Sequence, residues 1–412
     1  MQAIEAIVKE AQQLFSLQHY HYTGDAELYT ETSPTGRTSP IVTLTFHPPI
    51  AAVTEEGINP KGSVIVDYHA QQEHFISYLV VGERQDALHQ LSLEQPVESA
   101  VEWMLERMDF QLDEYRIEWD EEERTIVCLR QFNGQTLYPT QALTMSYDEA
   151  GKIKRWNAQI EPLQVMHHSI QEDPTIGFVP PAIGDFVEAV LWPIAKKQIF
   201  QPTYLFPTLF VHVETGEILH PEETLTKKIY RQSIDLQQAK TIDLTLQEER
   251  FEEDVDWDQL DQIAEQRLAD ESVAQIIQQL PDWIYSMHSS KEVHWTLRSI
   301  EQIGSLIEIL CLGKMTEFDK PKRLTIEVDA QTLQLVHYHL STDLSSYLYE
   351  DFQTVPVPLE TNKQEVIERM YTLLTTRPVL AFSPQHANYQ PYIELQMNVV
   401  LDALTGMRLS EH

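Results

Sequence analysis

The residues best equipped to hold a metal come in pairs. His19 and His21 stand two apart in "HYHY", and His337 and His339 repeat that spacing in "VHYHL". Alternate residues of a β-strand share a face, so each pair would present two imidazoles together, a start for chelating zinc, nickel or copper. A working site needs a third or fourth ligand, for which His167, His168 and His212 are the candidates. The competing reading is a half-exposed strand on which His and Tyr alternate as polar aromatic surface.

A second candidate is the acidic run "DVDWDQLDQIAE" (254–265). Asp254, Asp256, Asp258 and Glu265 fall at positions one, three, five and twelve of a calcium-binding loop, but Gln259 stands where the turn requires glycine. Asp256 or Asp258 also reads as a helix N-cap with acidic neighbours favoured by the helix dipole. The carboxylates of "EWDEEERTIV" (118–127) lie between two β-rich runs and read as a solvated hairpin turn before acid–base machinery. The stretch "FQPTYLFPTLF" (200–210) offers Phe200, Tyr204 and Phe206 as the lining of a groove for an extended peptide, or as a strand entering a core.

Motifs that announce catalysis are missing: no G-x-S-x-G elbow, no phosphate-binding loop, no G-x-G-x-x-G and no H-E-x-x-H. Thirteen glycines in 412 residues supply few backbone cradles, and nothing calls for a cofactor. Cys128 and Cys311 each sit in an apolar run, as buried inert thiols do. With 64 acidic against 29 basic residues the formal charge is −35, which repels nucleic acid and anionic lipid; it reads first as a well-solvated surface, and otherwise as a docking face for divalent cations or for a basic protein or peptide partner of unknown identity. The first residues carry Glu5, Lys9 and Glu10 among apolar ones, unlike an export signal, and no stretch has the length of a membrane span. The expectation is a cytoplasmic chain without direct membrane insertion.

The elements that would position these residues follow from periodicity. Apolar stripes at helical spacing cover 3–15, 97–108, 185–195, 258–269, 271–280 and 363–374, with Pro193 and Pro281 as expected stops. Between them lie β-rich pairs joined by polar turns containing Asp67; Asp148 and Gly151; Thr215 and Gly216; Asp329 and Thr332; and Asp402, Thr405 and Gly406. Asp and Gly accept the positive φ that tight hairpins need. Recurrence of the pattern, usually after a helix, reads as one unit used repeatedly.

"VVLDALTGMRL" (399–409), "FVHVETGEIL" (210–219) and, more loosely, "IEVDAQTLQLV" (326–336) carry a resemblance. Their V-D-A-x-T-G-x-apolar form resembles the PepSY-type module, and its tandem use resembles the YcdB/YcdC repeat proteins of spore-forming bacilli. His212 replaces Asp in the second stretch, and Leu333 replaces Gly in the third. The resemblance implies binding or modulation of peptidases and no established activity.

The expected fold is α+β, with tandem helix-plus-antiparallel-hairpin units in two lobes. The boundaries are an N-terminal lobe at 1–222 with three units, an acidic linker or edge segment at 223–257, and a C-terminal lobe at 258–412 with two units. The expected function is a non-catalytic peptide- or protein-binding module. The alternatives are a divalent-metal-dependent hydrolase using the His pairs, and a structural scaffold.

Overall fold

The computed structural model describes residues 2–49, 59–83, 90–107, 111–159, 161, 183–244, 246, 267–290, 292–316, 321–342, 352–355, 363–397 and 400–403. The chain divides into two compact units, Met1–Val165 with Glu253–Glu265, and Met166–Glu252 with Gln266–His412.

In the first unit, α1 (Gln2–Leu14) is followed by β1 (His21–Thr32), β2 (Thr38–His47), β3 (Val64–His69) and β4 (His74–Val80). Then come α2 (Pro96–Arg107), β5 (Tyr115–Asp120), β6 (Thr125–Phe132), β7 (Gln135–Tyr138), β8 (Ala142–Tyr147) and β9 (Ile153–Gln159). The strands run in the order β1-β2-β3-β4-β9-β8-β6, with β5 and β7 also paired to β6. Alternation sorts the faces. Val42, Leu44, Phe46, Val64, Val66, Tyr78 and Met145 point into one core, and both predicted helices cover it. Ala11 and Phe15 of the first stripe are buried, and Phe15 stacks on Tyr78 at 5.2 Å. Trp103 and Met104 do the same for α2, whereas Leu105 is half exposed.

The second unit carries β10 (Glu188–Ile194), β11 (Ile199–Leu205), β12 (Leu209–His212), β13 (Ile218–Leu219) and β14 (Lys227–Ile234). After these come α3 (Asp270–Met287), β15 (His294–Ile303), β16 (Leu306–Lys314), β17 (Lys322–Asp329) and β18 (Leu335–Thr342). The remaining elements are β19 (Gln353–Thr354), α4 (Lys363–Leu373), β20 (Thr375–Ser383), β21 (Asn388–Gln396) and β22 (Leu401–Asp402). Strands β14 to β18 form an antiparallel sheet in chain order, with Val273, Ile276, Leu280, Trp283 and Ile284 of α3 in its core. A second core gathers Val366, Ile367 and Met370 of α4 against β11, β12 and β21. Charge joins β10 to the β14–β16 face. Glu188 takes Arg231 at 3.0 Å and Arg298 at 2.8 Å, while Arg231 donates to the Phe186 carbonyl and Lys314 to that of Ala189.

This is a sheet-dominated protein, and it overturns the expected α+β array of tandem helix-plus-hairpin units. Among the described residues four α-helices accompany twenty-two strands, and hairpins follow one another without a helix apiece. Within the stretch 185–195, Glu188–Ile194 form strand β10 between two short 3-10 turns, and no α-helix forms. Its apolar residues fit either period, but Pro193 lacks the donor a helix interior needs and sits without cost on an edge strand. Pro281 does not stop a helix either: α3 runs through it to Met287, because Trp283 and Ile284 extend the buried stripe beyond it. The 258–269 stripe falls mostly outside the described residues, and 267–269 are not helical. Within 223–257 the edge strand is Lys227–Ile234, and 241–244 form no strand.

Two substitutions should move stability in opposite directions. A Cβ on Gly313 would meet Val293 at 2.7 Å and the Trp295 ring at 2.9 Å, so Gly313→Ala should destabilise by about 1–3 kcal/mol. Pro281→Ala restores a helix donor and should stabilise by up to about 3 kcal/mol. Urea unfolding of both variants checks the signs.

Candidate functional site

Five hairpins close with turns of one geometry. At His69, Asp120, His212, Asp329 and Ser383 a strand ends, and the residue four places on has positive φ: Glu73, Arg124, Gly216, Leu333 and Ala387. At His69, Asp120, His212 and Asp329 the first residue's side chain accepts backbone N–H groups inside the turn, whereas the Ser383 hydroxyl meets His386 Nδ1 at 3.0 Å. Asp329 takes those of Gln331 at 3.1 Å and Thr332 at 2.8 Å, and its Oδ1 also takes the Thr332 hydroxyl. His212 does the equivalent with Nδ1, accepting from Glu214 and Thr215 at 3.2 Å each. Asp120 caps Glu123 at 3.0 Å, which makes the 118–127 carboxylates a hairpin turn. The fifth N–H closes back on the first carbonyl at 69–73, 212–216 and 329–333. Asp-to-His and Gly-to-Leu departures therefore leave the device intact, since a short acceptor and one αL residue are all it requires. Thr215 adds a hydroxyl that accepts from the Glu217 N–H.

Asp148 and Gly151 form a shorter version. Asp148 accepts from Ala150 and Lys152, and Gly151 has φ +80°. Asp67, by contrast, is not in a turn. It lies within β3 on the face away from the core, taking the Thr43 and Ser77 hydroxyls at 2.5 Å each and so tying β2 and β4 to β3. The turn residue is His69, two places on. Asp402 ends β22 and accepts from Gln201 Nε2 at 3.1 Å, while Thr405 and Gly406 lie outside the described residues.

Among the described residues the histidine pairs belong to no metal-holding cluster. His19 and His21 are exposed in the first unit, and His337 and His339 are exposed on β18 in the second. Among the described residues no group of three or more His, Cys, Asp or Glu side chains could hold an ion. Asp254, Asp256, Asp258, Glu265, His167 and His168 fall outside the described residues. The groove candidates are core residues: Phe200 is 1%, Tyr204 0% and Phe206 5% exposed, which leaves no aromatic wall for a peptide there. Cys128 and Cys311 are buried, and burial pushes each thiol up to about 12, as inert thiols should be. No helix among the described residues is long and apolar enough to cross a membrane.

What the sequence reading missed is an edge. The long edge strands of the described sheets are blunted in the usual ways. A register irregularity at Tyr22/Ala26 and three carboxylates guard β1. Arg116, Glu118 and Asp120 guard β5, Pro193 guards β10, and Lys227, Lys228, Arg231 and an irregularity guard β14. Strand β18, "LVHYHLST", has a register irregularity only at Val336 near its start, no charge other than its histidines and no proline, and no described strand lies beyond it. Tyr338 and Leu340 pair with Ile326 and Leu324, so they share the α3-covered face, yet they are 36% and 42% exposed. The edge is therefore an open backbone row beside an apolar ledge. Its signal in the sequence was the absence of charge in a run read only for its histidines.

Two measurements test the turns. A Cβ on Gly151 would sit 2.4 Å from the Leu91 carbonyl oxygen, whereas one on Gly216 meets nothing. Gly151→Ala should therefore cost well over the ~1 kcal/mol expected of Gly216→Ala by urea unfolding. His69 is buried, stacked on His74 at 5.8 Å, and caps Gln72 with Nδ1. Burial, then the His74 charge, lowers its pKa from 6.5 to about 4. The folded state thus stays neutral while the unfolded state takes up a proton, so this contribution is complete above about pH 6.5 and falls as pH drops towards 4. The loss is about 3 kcal/mol in wild type and absent in His69→Asn, which keeps a capping acceptor.

No known protein family matches the chain, and no curated protein matches it. Among solved structures, the Bacillus megaterium YpeB C-terminal domain is similar over 82% of this chain and 96% of that one, at 11% identity and a TM-score of 0.24. A likeness of that size carries no argument about fold or activity.

Proposed function

We propose that the protein is a non-catalytic binding module that takes an extended peptide segment of a partner as an added strand along β18. The observation that carries this reading is the contrast between β18 and the guarded edges. Strand β18 does carry one register irregularity, at Val336 near its start, but from His337 to Thr342 it is regular and has neither proline nor carboxylate or lysine, and such a run of edge is a template for strand addition. The regular run His337–Thr342 gives a footprint about 20 Å long, enough for a hexapeptide. Tyr338 and Leu340 offer apolar contact on one face, and His337 and His339, opposite Glu327 and Thr325, offer polar contact on the other. The formal charge of −35 draws a basic segment from a distance. The hydrolase alternative has no ligand cluster to stand on among the described residues.

The test uses a fluorescein-labelled hexapeptide of alternating lysine and valine, read by polarisation. Tyr338→Glu with Leu340→Glu adds negative charge while removing the ledge. Strand addition predicts binding at least tenfold weaker in this variant, whereas diffuse attraction to an acidic surface predicts binding as tight or tighter. Ile303→Glu, at a site 56% exposed in the same sheet, should leave affinity unchanged.

A further inference from the structure

A second surface, in the first unit, fits a cationic side chain. Residues 90–93 are pinned to the β8–β9 turn: Gln90 bridges to Lys152, the Leu91 N–H donates to the Gly151 carbonyl at 2.8 Å, and Gln90 Nε2 donates to the Ala150 carbonyl at 2.9 Å. The Ser92 N–H reaches the Ser99 hydroxyl on α2 at 3.2 Å. Between this strap and α2 lies an open cavity lined by Leu91, Leu93, Trp103, Glu102 and Glu106. Leu91 and Trp103 are buried at 2% and 4% exposure, and they make an apolar floor, while Leu93, at 57%, forms an exposed apolar lip.

The wall is acidic, and no ion pair among the described residues involves its carboxylates. Glu98, Glu102 and Glu106 follow one another at a spacing of four along α2, so they line one side of the helix and repel each other. The helix dipole favours Glu98 in the first turn, but it opposes Glu106 near the C-terminal end. No described cation is paired with Glu102 or Glu106. An apolar floor beneath two unneutralised carboxylates matches the two halves of a long basic side chain, an aliphatic stem and a charged head.

We propose that this groove binds an arginine or lysine side chain presented by a peptide segment of a partner. The occupant follows from charge complementarity: the carboxylates stand at the rim, where a guanidinium or ammonium can meet both while its stem covers Leu91, Leu93 and Trp103. This site is separate from β18 and stands or falls by itself.

The probe is a fluorescein-labelled Ala-Leu-Arg-Leu-Ala peptide, with a counterpart in which citrulline replaces arginine. Glu102→Gln with Glu106→Gln should weaken arginine-peptide binding at least tenfold and flatten its salt dependence. Both substitutions are on exposed positions of a helix whose packing face is untouched. Glu121→Gln with Glu122→Gln, in the exposed β5–β6 turn, should leave binding unchanged. Gly151→Ala, which displaces the strap, should also weaken it. Equal binding of the citrulline peptide overturns the proposal by showing an apolar occupant. Equal weakening by the Glu121/Glu122 pair overturns it by showing delocalised attraction. The β18 variant should bind this peptide as wild type does, so failure here and failure at β18 are distinguishable.

Discussion

Every strand carries a row of backbone donors and acceptors that must be paired or hydrated, and satisfying those rows at the sheet edges is the constraint on which the structure depends. Interior strands of the first unit satisfy theirs through antiparallel ladders on both sides, as β2, β3 and β4 do. The edges cannot, and each is handled by a different local device: carboxylates and a register irregularity on β1, charge on β5, proline on β10, lysines on β14. The same residues that look unfavourable in a strand, Pro193 above all, are the ones that keep the edge from pairing with another chain. Beyond the irregularity at Val336, strand β18 departs from this policy over His337–Thr342, and its exposed Tyr338 and Leu340 lie where α3 no longer covers the sheet.

Hairpin connection is the second element of the design, and it was only partly legible in the sequence. The turn at 212–216 was readable because glycine marks its αL position. The turn at 120–124 was readable from its run of carboxylates between two β-rich segments, but the turn residues at 69–73 and 383–387 were not, because Glu73 and Ala387 take positive φ with no compositional sign. Asp67 was misleading for a related reason. A polar residue in a β-rich run can end the strand or face away from the core, and period-two alternation alone does not separate these until pairing is known. Once paired, Asp67 stands in an outer row between Thr43 and Ser77 and spends both carboxylate oxygens on neighbouring strands.

The helices show where sequence reading works. The stripes of α1, α2 and α4 run several turns with apolar residues on one face, and each forms close to the expected span. The failure at 185–195 came from a short segment whose Val187, Val190, Leu191 and Ile194 suit both periods, with β-branched residues tilting the outcome to strand once β11 was available as a partner. The failure at Pro281 is the reverse: tertiary burial of Trp283 and Ile284 outweighed a local breaker. Of the candidate sites, neither the histidine pairs nor Phe200, Tyr204 and Phe206 could be judged without packing, since exposure and convergence are properties of the fold and not of spacing.

Charge gives these features a common direction. An excess of 35 negative charges keeps copies of the chain apart and draws cationic segments in, so an open edge can persist without the chain pairing with itself. Amide hydrogen exchange over residues 335–342, with and without the alternating lysine–valine peptide, tests the central claim most directly. Strand addition predicts that amides along β18 gain protection on binding while those of β16 do not change. Protection confined to other surfaces, with β18 exchanging as before, would contradict it.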